Sequence, residues 1–162
     1  MDKNSIVLFS RGEVANWKGL PPDFSREELM HLFGSPAKTQ DTTLGYYPAE
    51  RNDFAVDDEP GIFTAYVRHG KVVLIETKKL PQAGILHELP EPDAILPHEI
   101  LVEKAYASEY IYCERGLNLT LAKHFDKQIS DTIVRCRGFE KISKPEEFDT
   151  RYYKSFENSI LW

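Results

Sequence analysis

An α+β fold is predicted: an antiparallel sheet packed by helices, built from a tandem pair of helix–turn–β-meander units. Three observations predict it. Ser25-Arg26-Glu27-Glu28 is a capping box that opens an apolar helical stripe. His69-Gly70 sits between two β-rich runs, as a two-residue hairpin turn does. Gly116 to Leu121 alternates strictly between apolar and polar residues, the period of a strand with one buried face.

The chain has 162 residues, 41% hydrophobic and 28% charged, which suits one compact domain over residues 1–162. Its formal charge of −6 disfavours a phosphate backbone, so nucleic acid is not the expected partner. No basic leader with a long apolar core opens the sequence, and no apolar run approaches the ~18 residues of a membrane span. The expectation is a soluble, cytoplasmic protein with no membrane partner.

The elements follow in chain order. Ile6 to Phe9 reads as a short strand. Phe24 precedes the Ser25 cap and can staple onto Leu29; Leu32 and Phe33 extend the stripe, and Gly34 and Pro36 end the helix. Thr43 to Tyr47 reads as a strand, and the acidic stretch Ala49 to Pro60 as a solvated loop. Strands flank His69-Gly70. From Thr77 to Leu101, Pro81, Pro90, Pro92 and Pro97 argue against regular extended structure, with room for a short helix over Gln82 to Leu89. Val102–Cys113, Gly116–Lys123 and Ile129–Arg137 read as three strands in sequence. Ser143-Lys144-Pro145-Glu146 is a second capping box, with Pro in the first turn; Phe148, Tyr152 and Phe156 share one face of a helix over about 143–157.

The two units echo one another. His31 and Pro36 align with His87 and Pro92 at an offset of 56, and Gly61 aligns with Gly116 at an offset of 55. The units span about 20–79 and 80–140.

Leu32-Phe33-Gly34-Ser35-Pro36, the Tyr46-Tyr47 pair, Tyr110-Ile111-Tyr112 and Gly116-Leu117-Asn118-Leu119-Thr120-Leu121 together resemble the "lGxP", "YY" and "GLxLxF" motifs of the β-lactamase-inhibitor-protein-like fold. The same motifs mark the related SmpA/OmlA-type lipoproteins of the outer-membrane barrel-assembly machinery. The resemblance covers most of Phe24 to Arg137. It implies a tandem of two such units; an antilactamase role does not transfer.

Candidate chemistry is sparse. In a meander, Cys113 and Cys136 lie two strand spacings apart, ~10 Å, beyond the ~7 Å that a disulfide spans. Free thiols are expected, consistent with a reducing compartment. Glu114 and Arg115 follow Cys113 directly, but neighbours in a strand point to opposite faces, and a core cysteine is favoured over a nucleophile. His87-Glu88 and His98-Glu99 lack the second histidine of H-E-x-x-H. Asp53, Asp57, Asp58 and Glu59 lack calcium-loop spacing. No metal or cofactor is expected.

Two functions are left open. The first is a non-enzymatic protein-binding module, inhibitor- or immunity-like by analogy, using an aromatic-rich open sheet face. Its candidate binding residues are Trp17, Tyr46, Tyr47, Tyr66, His69, Tyr110 and Tyr112. The alternative is a small enzyme or anionic-ligand domain with a pocket near Cys113, His124, Arg135 and Arg137, where the two arginines share a strand face.

Overall fold

The structure, a computed structural model, describes residues 3–102, 105–124, 132–148 and 151. Three α-helices are found among them: α1 (Asn4–Ser10), α2 (Arg26–Phe33) and α3 (Pro145–Phe148). The strands are β1 (Lys38–Leu44), β2 (Tyr47–Val56), β3 (Glu59–Arg68), β4 (Lys71–Thr77), β5 (Ala94–Val102), β6 (Ala105–Tyr112), β7 (Leu117–His124) and β8 (Thr132–Phe139). They form one sheet in the order β1-β2-β3-β4-β8-β7-β6-β5, antiparallel throughout. The fold is thus sheet-dominated α+β. Two four-stranded meanders meet at a seam of only four residue pairs, from Leu74↔Phe139 to Thr77↔Cys136.

One face of the sheet packs under α1, α2 and the loop between them. Phe9, Trp17, Phe24 and Leu29 press on Phe54, Phe63, Ile75, Leu119 and Cys136, all essentially inaccessible. A smaller cluster forms on the opposite face, where Phe139, Leu74, Ile111 and Ile142 gather around Phe148 of α3. The second face is therefore covered near β6–β8.

The α2 cap forms as its sequence dictates. The Ser25 hydroxyl accepts from the Glu28 backbone N–H, and the Glu28 carboxylate accepts from that of Ser25, both at 3.1 Å. Such a cap is worth about 1 kcal/mol. His69 and Gly70 both take positive φ, as a type I′ turn requires.

Several expectations are corrected. Ile6 to Phe9 lies in helix α1: Ile6, Phe9 and Ser10 fall at i, i+3 and i+4 and are buried together, a spacing that so short an apolar run hides. Ala49 to Pro60 is no loop but most of the β2–β3 hairpin, turning at Asp57-Asp58. Both aspartates adopt positive φ, which Asp tolerates better than most residues. The strand expected at Thr43–Tyr47 is instead the end of β1, a turn at Gly45-Tyr46 and the start of β2. Residues 94–102 form β5 despite Pro97, because β5 is an edge strand and has only one side to pair. The helix allowed over Gln82–Leu89 shrinks to a 3₁₀ helix at Ala83–His87. Pro145–Phe148 is helical as expected; Tyr152 and Phe156 lie outside the described residues, as do 129–131 of the last expected strand.

Gly116 marks the corner between β6 and β7. Its φ is +53°, and a Cβ there would lie 2.0 Å from the Phe139 carbonyl oxygen. The corner is a junction: Trp17 Nε1 donates to Gly116 O at 3.0 Å, Phe139 N to the same oxygen at 2.8 Å, and Arg115 to Ala15 O at 2.7 Å.

Candidate functional site

Strand register places a band of polar side chains across the face opposite α1 and α2. Asp53, Thr64, Glu76, Arg137 and Asn118 stand in one cross-strand row. Arg51 and Tyr66 stand in the next. The same parity puts Arg135, Thr120 and Glu109 on this face. The band is stitched by charge. Asp53 accepts from Arg51 Nε at 3.1 Å and from the Thr64 hydroxyl at 2.7 Å. Burial would raise the Asp53 carboxyl, but those two partners outweigh it and hold it below the ordinary value. Arg135 Nε lies 3.3 Å from Glu76.

Under Phe148 the band is fully buried. Glu109 and Thr120 have no accessible surface, and Arg137 has 2%. Glu109 accepts from Asn118 Nδ2 at 2.7 Å and from the Thr120 hydroxyl at 2.8 Å. Arg137 Nε donates to Asn118 Oδ1 at 2.9 Å, its Nη2 stands 3.6 Å from Glu109, and its guanidinium lies over the Phe148 ring. The two polar positions of the alternating run, Asn118 and Thr120, are therefore interior and not solvent-facing.

Away from Phe148 the band opens into a cleft of about 300 Å³, lined by residues from β1, β2, β3, β4 and β8. Thr42 and Thr64 contribute hydroxyls; Arg51, Lys78, Arg135 and Arg137 contribute positive charge; Glu76 is the one carboxylate in the lining. Burial and the neighbouring Arg137 both lower the pKa of Arg135. Burial, then Glu76, raises that of the Tyr66 phenol. Two larger concavities, of about 650 and 850 Å³, lie along the N-terminal segment. Their walls are mostly loop residues such as Gly12, Pro81, Gly19 and Pro22, and no set of strands converges there.

Beside the cleft stands the β1–β2 tip. Arg68, at the end of β3, donates to the carbonyls of Leu44, Tyr47 and Pro48, and its guanidinium lies 5.7 Å from the Tyr47 ring centre. The tip is thereby held, yet Tyr46 and Tyr47 remain 56% and 59% exposed.

The seven residues proposed from sequence for binding separate. Tyr46 and Tyr47 form the tip, His69 is exposed in the turn at the same end of the sheet, and Tyr66 lies half-buried on the adjoining face. Trp17 and Tyr112 are core residues, 1% and 3% exposed, because the Trp17 indole is needed inside to cap Gly116 O. Tyr110 points to the helix-covered face and packs on the main core. The alternative set also splits. Arg135 and Arg137 do share a cleft. Cys113 lies at the end of β6, its N–H bonded to Asp93 at 2.6 Å, with burial and then Asp93 pushing its thiol up to about 11. His124 ends β7. Cys113 and Cys136 are both free. Arg51, Lys78 and Thr64 escaped the sequence reading. Arg51 and Asp53 stand two apart, the spacing of one strand face, a signal hidden by reading that segment as a loop.

Among the described residues no cluster of three or more His, Cys, Asp or Glu is placed to hold a metal, and no helix is long and apolar enough to cross a membrane. Comparison with protein-family models, curated proteins and solved structures returned no match.

Proposed function

We propose that this chain is a non-enzymatic protein-binding module, and that its partner docks on the β1–β2 tip and the open part of the polar sheet face. The observation that carries this is the pair of tyrosines, Tyr46 and Tyr47, more than half exposed on a turn that Arg68 ties down through three backbone carbonyls. Exposed aromatic rings on an already ordered backbone supply contact area at small entropic cost on binding. The open cleft beside them provides hydrogen-bonding groups within the same patch.

The scaffold fits the two-unit reading. Each meander has four strands, the second lies beside the first in reversed order, and Gly61 and Gly116 take positive φ at the head of the third strand of each. A tandem of this kind is what the resemblance to the β-lactamase-inhibitor-like fold implies.

The test is site-specific photo-crosslinking in extract of the native host, with the crosslinker at Tyr47, at Gln40 on the polar face of β1, or at the exposed Glu27 of α2 as a control. One adduct mass is expected from Tyr47 and Gln40, competed away by excess unmodified protein but not by a Tyr46→Ser, Tyr47→Ser variant. Equal adducts from Glu27, or full competition by that variant, would sink the proposal.

A further inference from the structure

We infer that the cleft on the polar face is a receptor for carboxylate side chains, taking an acidic segment of the partner protein; this rests on the reading that the face binds a protein. Four cations, Arg51, Lys78, Arg135 and Arg137, line it against the single carboxylate of Glu76. Asp53 and Glu109, which pair with Arg51 and Arg137, stand behind the lining and leave that excess of cations on the cleft wall. That surplus sits in a chain whose formal charge is −6, so it is a local feature and not a reflection of composition. The pKa of Arg135 is lowered first by burial and then by the neighbouring Arg137 guanidinium.

Chemistry and size agree. Guanidinium forks match a planar carboxylate through paired hydrogen bonds. The Thr42 hydroxyl, on the same sheet face as Arg51, can donate from the β1 side. A volume of about 300 Å³ is at the small end for ligand cavities and suits one or two acidic side chains. The cleft opens beside β1, an edge strand, and the tyrosine tip, so the rest of an extended segment has a surface to lie on.

The experiment is an NMR titration of the full chain with an octapeptide of alternating Glu and Gly, its Gln counterpart, and inorganic phosphate. The Glu peptide is expected to shift the amides of Thr42, Thr43 and Thr64, and to weaken as salt is added. Its affinity is expected to fall tenfold or more in Lys78→Glu, a surface change whose melting temperature verifies the fold, and in Arg51→Gln. An equal response to the Gln peptide, indifference to Lys78→Glu, or tighter binding of phosphate than of the Glu peptide would overturn the inference. A Tyr47 crosslink that survives in Lys78→Glu removes this inference and leaves the docking face standing. A Lys78-dependent peptide response with no Tyr47 crosslink leaves the cleft chemistry and removes the docking face.

Discussion

Replacing Glu109 by Gln isolates what the buried polar cluster contributes. Glu109 is inaccessible to solvent, accepts from Asn118 and Thr120, and is the counter-charge of Arg137 at 3.6 Å. Gln keeps the shape but not the charge, and its amide nitrogen must face either the Asn118 amide or the Thr120 hydroxyl. Removing one partner of a buried pair costs about 3–5 kcal/mol, because the remaining charge is left buried and uncompensated. Hydrogen bonds to a charged group at about 1.5–3 kcal/mol each lead to the same range. Against a total stability of about 5–15 kcal/mol this is a large fraction. At about 2–4 °C per kcal/mol for a chain of this size, Tm should drop by roughly 6–20 °C. Urea unfolding followed by circular dichroism reads the loss as a shift of midpoint at constant slope. The companion variant, Glu109→Leu with Arg137→Met, replaces the pair by apolar groups and should recover more than half of the loss. A Glu109→Gln loss below about 1 kcal/mol, or a double variant no more stable than the single one, would show that the cluster is not an interdependent ion pair.

Gly116→Ala should destabilise by about 3 kcal/mol or more, since the added Cβ meets the Phe139 carbonyl and the residue must hold φ at +53°; a melt within 3 °C of the parent would refute the junction described at that corner. Stability should fall as pH rises above about 9. The unfolded chain releases the Cys and Tyr protons near their ordinary values, while burial raises Cys113 to about 11 and Tyr112 to about 12 and pushes Cys136 higher still, so the native state binds more protons in that window. The slope should approach about 1.4 kcal/mol per pH unit for each group titrating only when unfolded. The same shifts predict that neither thiol reacts with a disulfide reagent at pH 8 until urea is added; prompt native labelling of Cys113 would contradict its burial.

What could be read from the sequence was local chemistry with one solution. The Ser25–Glu28 box, the His69-Gly70 turn and the Gly116 corner each combine a special residue with a fixed offset, and each stands where expected. The distance argument for free thiols also held, because β7 lies between the strands that carry Cys113 and Cys136. The β2–β3 hairpin was hidden because one of its faces is polar: Arg51 and Asp53 alternate with Asn52 and Phe54, so no apolar period is visible. Asn118 and Thr120 looked solvent-facing by parity, yet Phe148, some thirty residues later, roofs that part of the sheet. Of the site, the Arg135–Arg137 pair and the Tyr46-Tyr47 pair were visible, since each is carried by neighbours in sequence. Their meeting with Arg51 and Lys78 depends on which strands pair, and no local pattern encodes the joining of β4 to β8.

That seam has a consequence for biosynthesis. β4 can hydrogen-bond on only one side until β8 has left the ribosome, some sixty residues later. Throughout that interval a strand carrying Val72, Leu74 and Ile75 is an open edge, the kind of surface that pairs with a neighbouring nascent chain. Neither meander can conceal its inner rim alone, so the last strand made in the sheet is also the one that seals it.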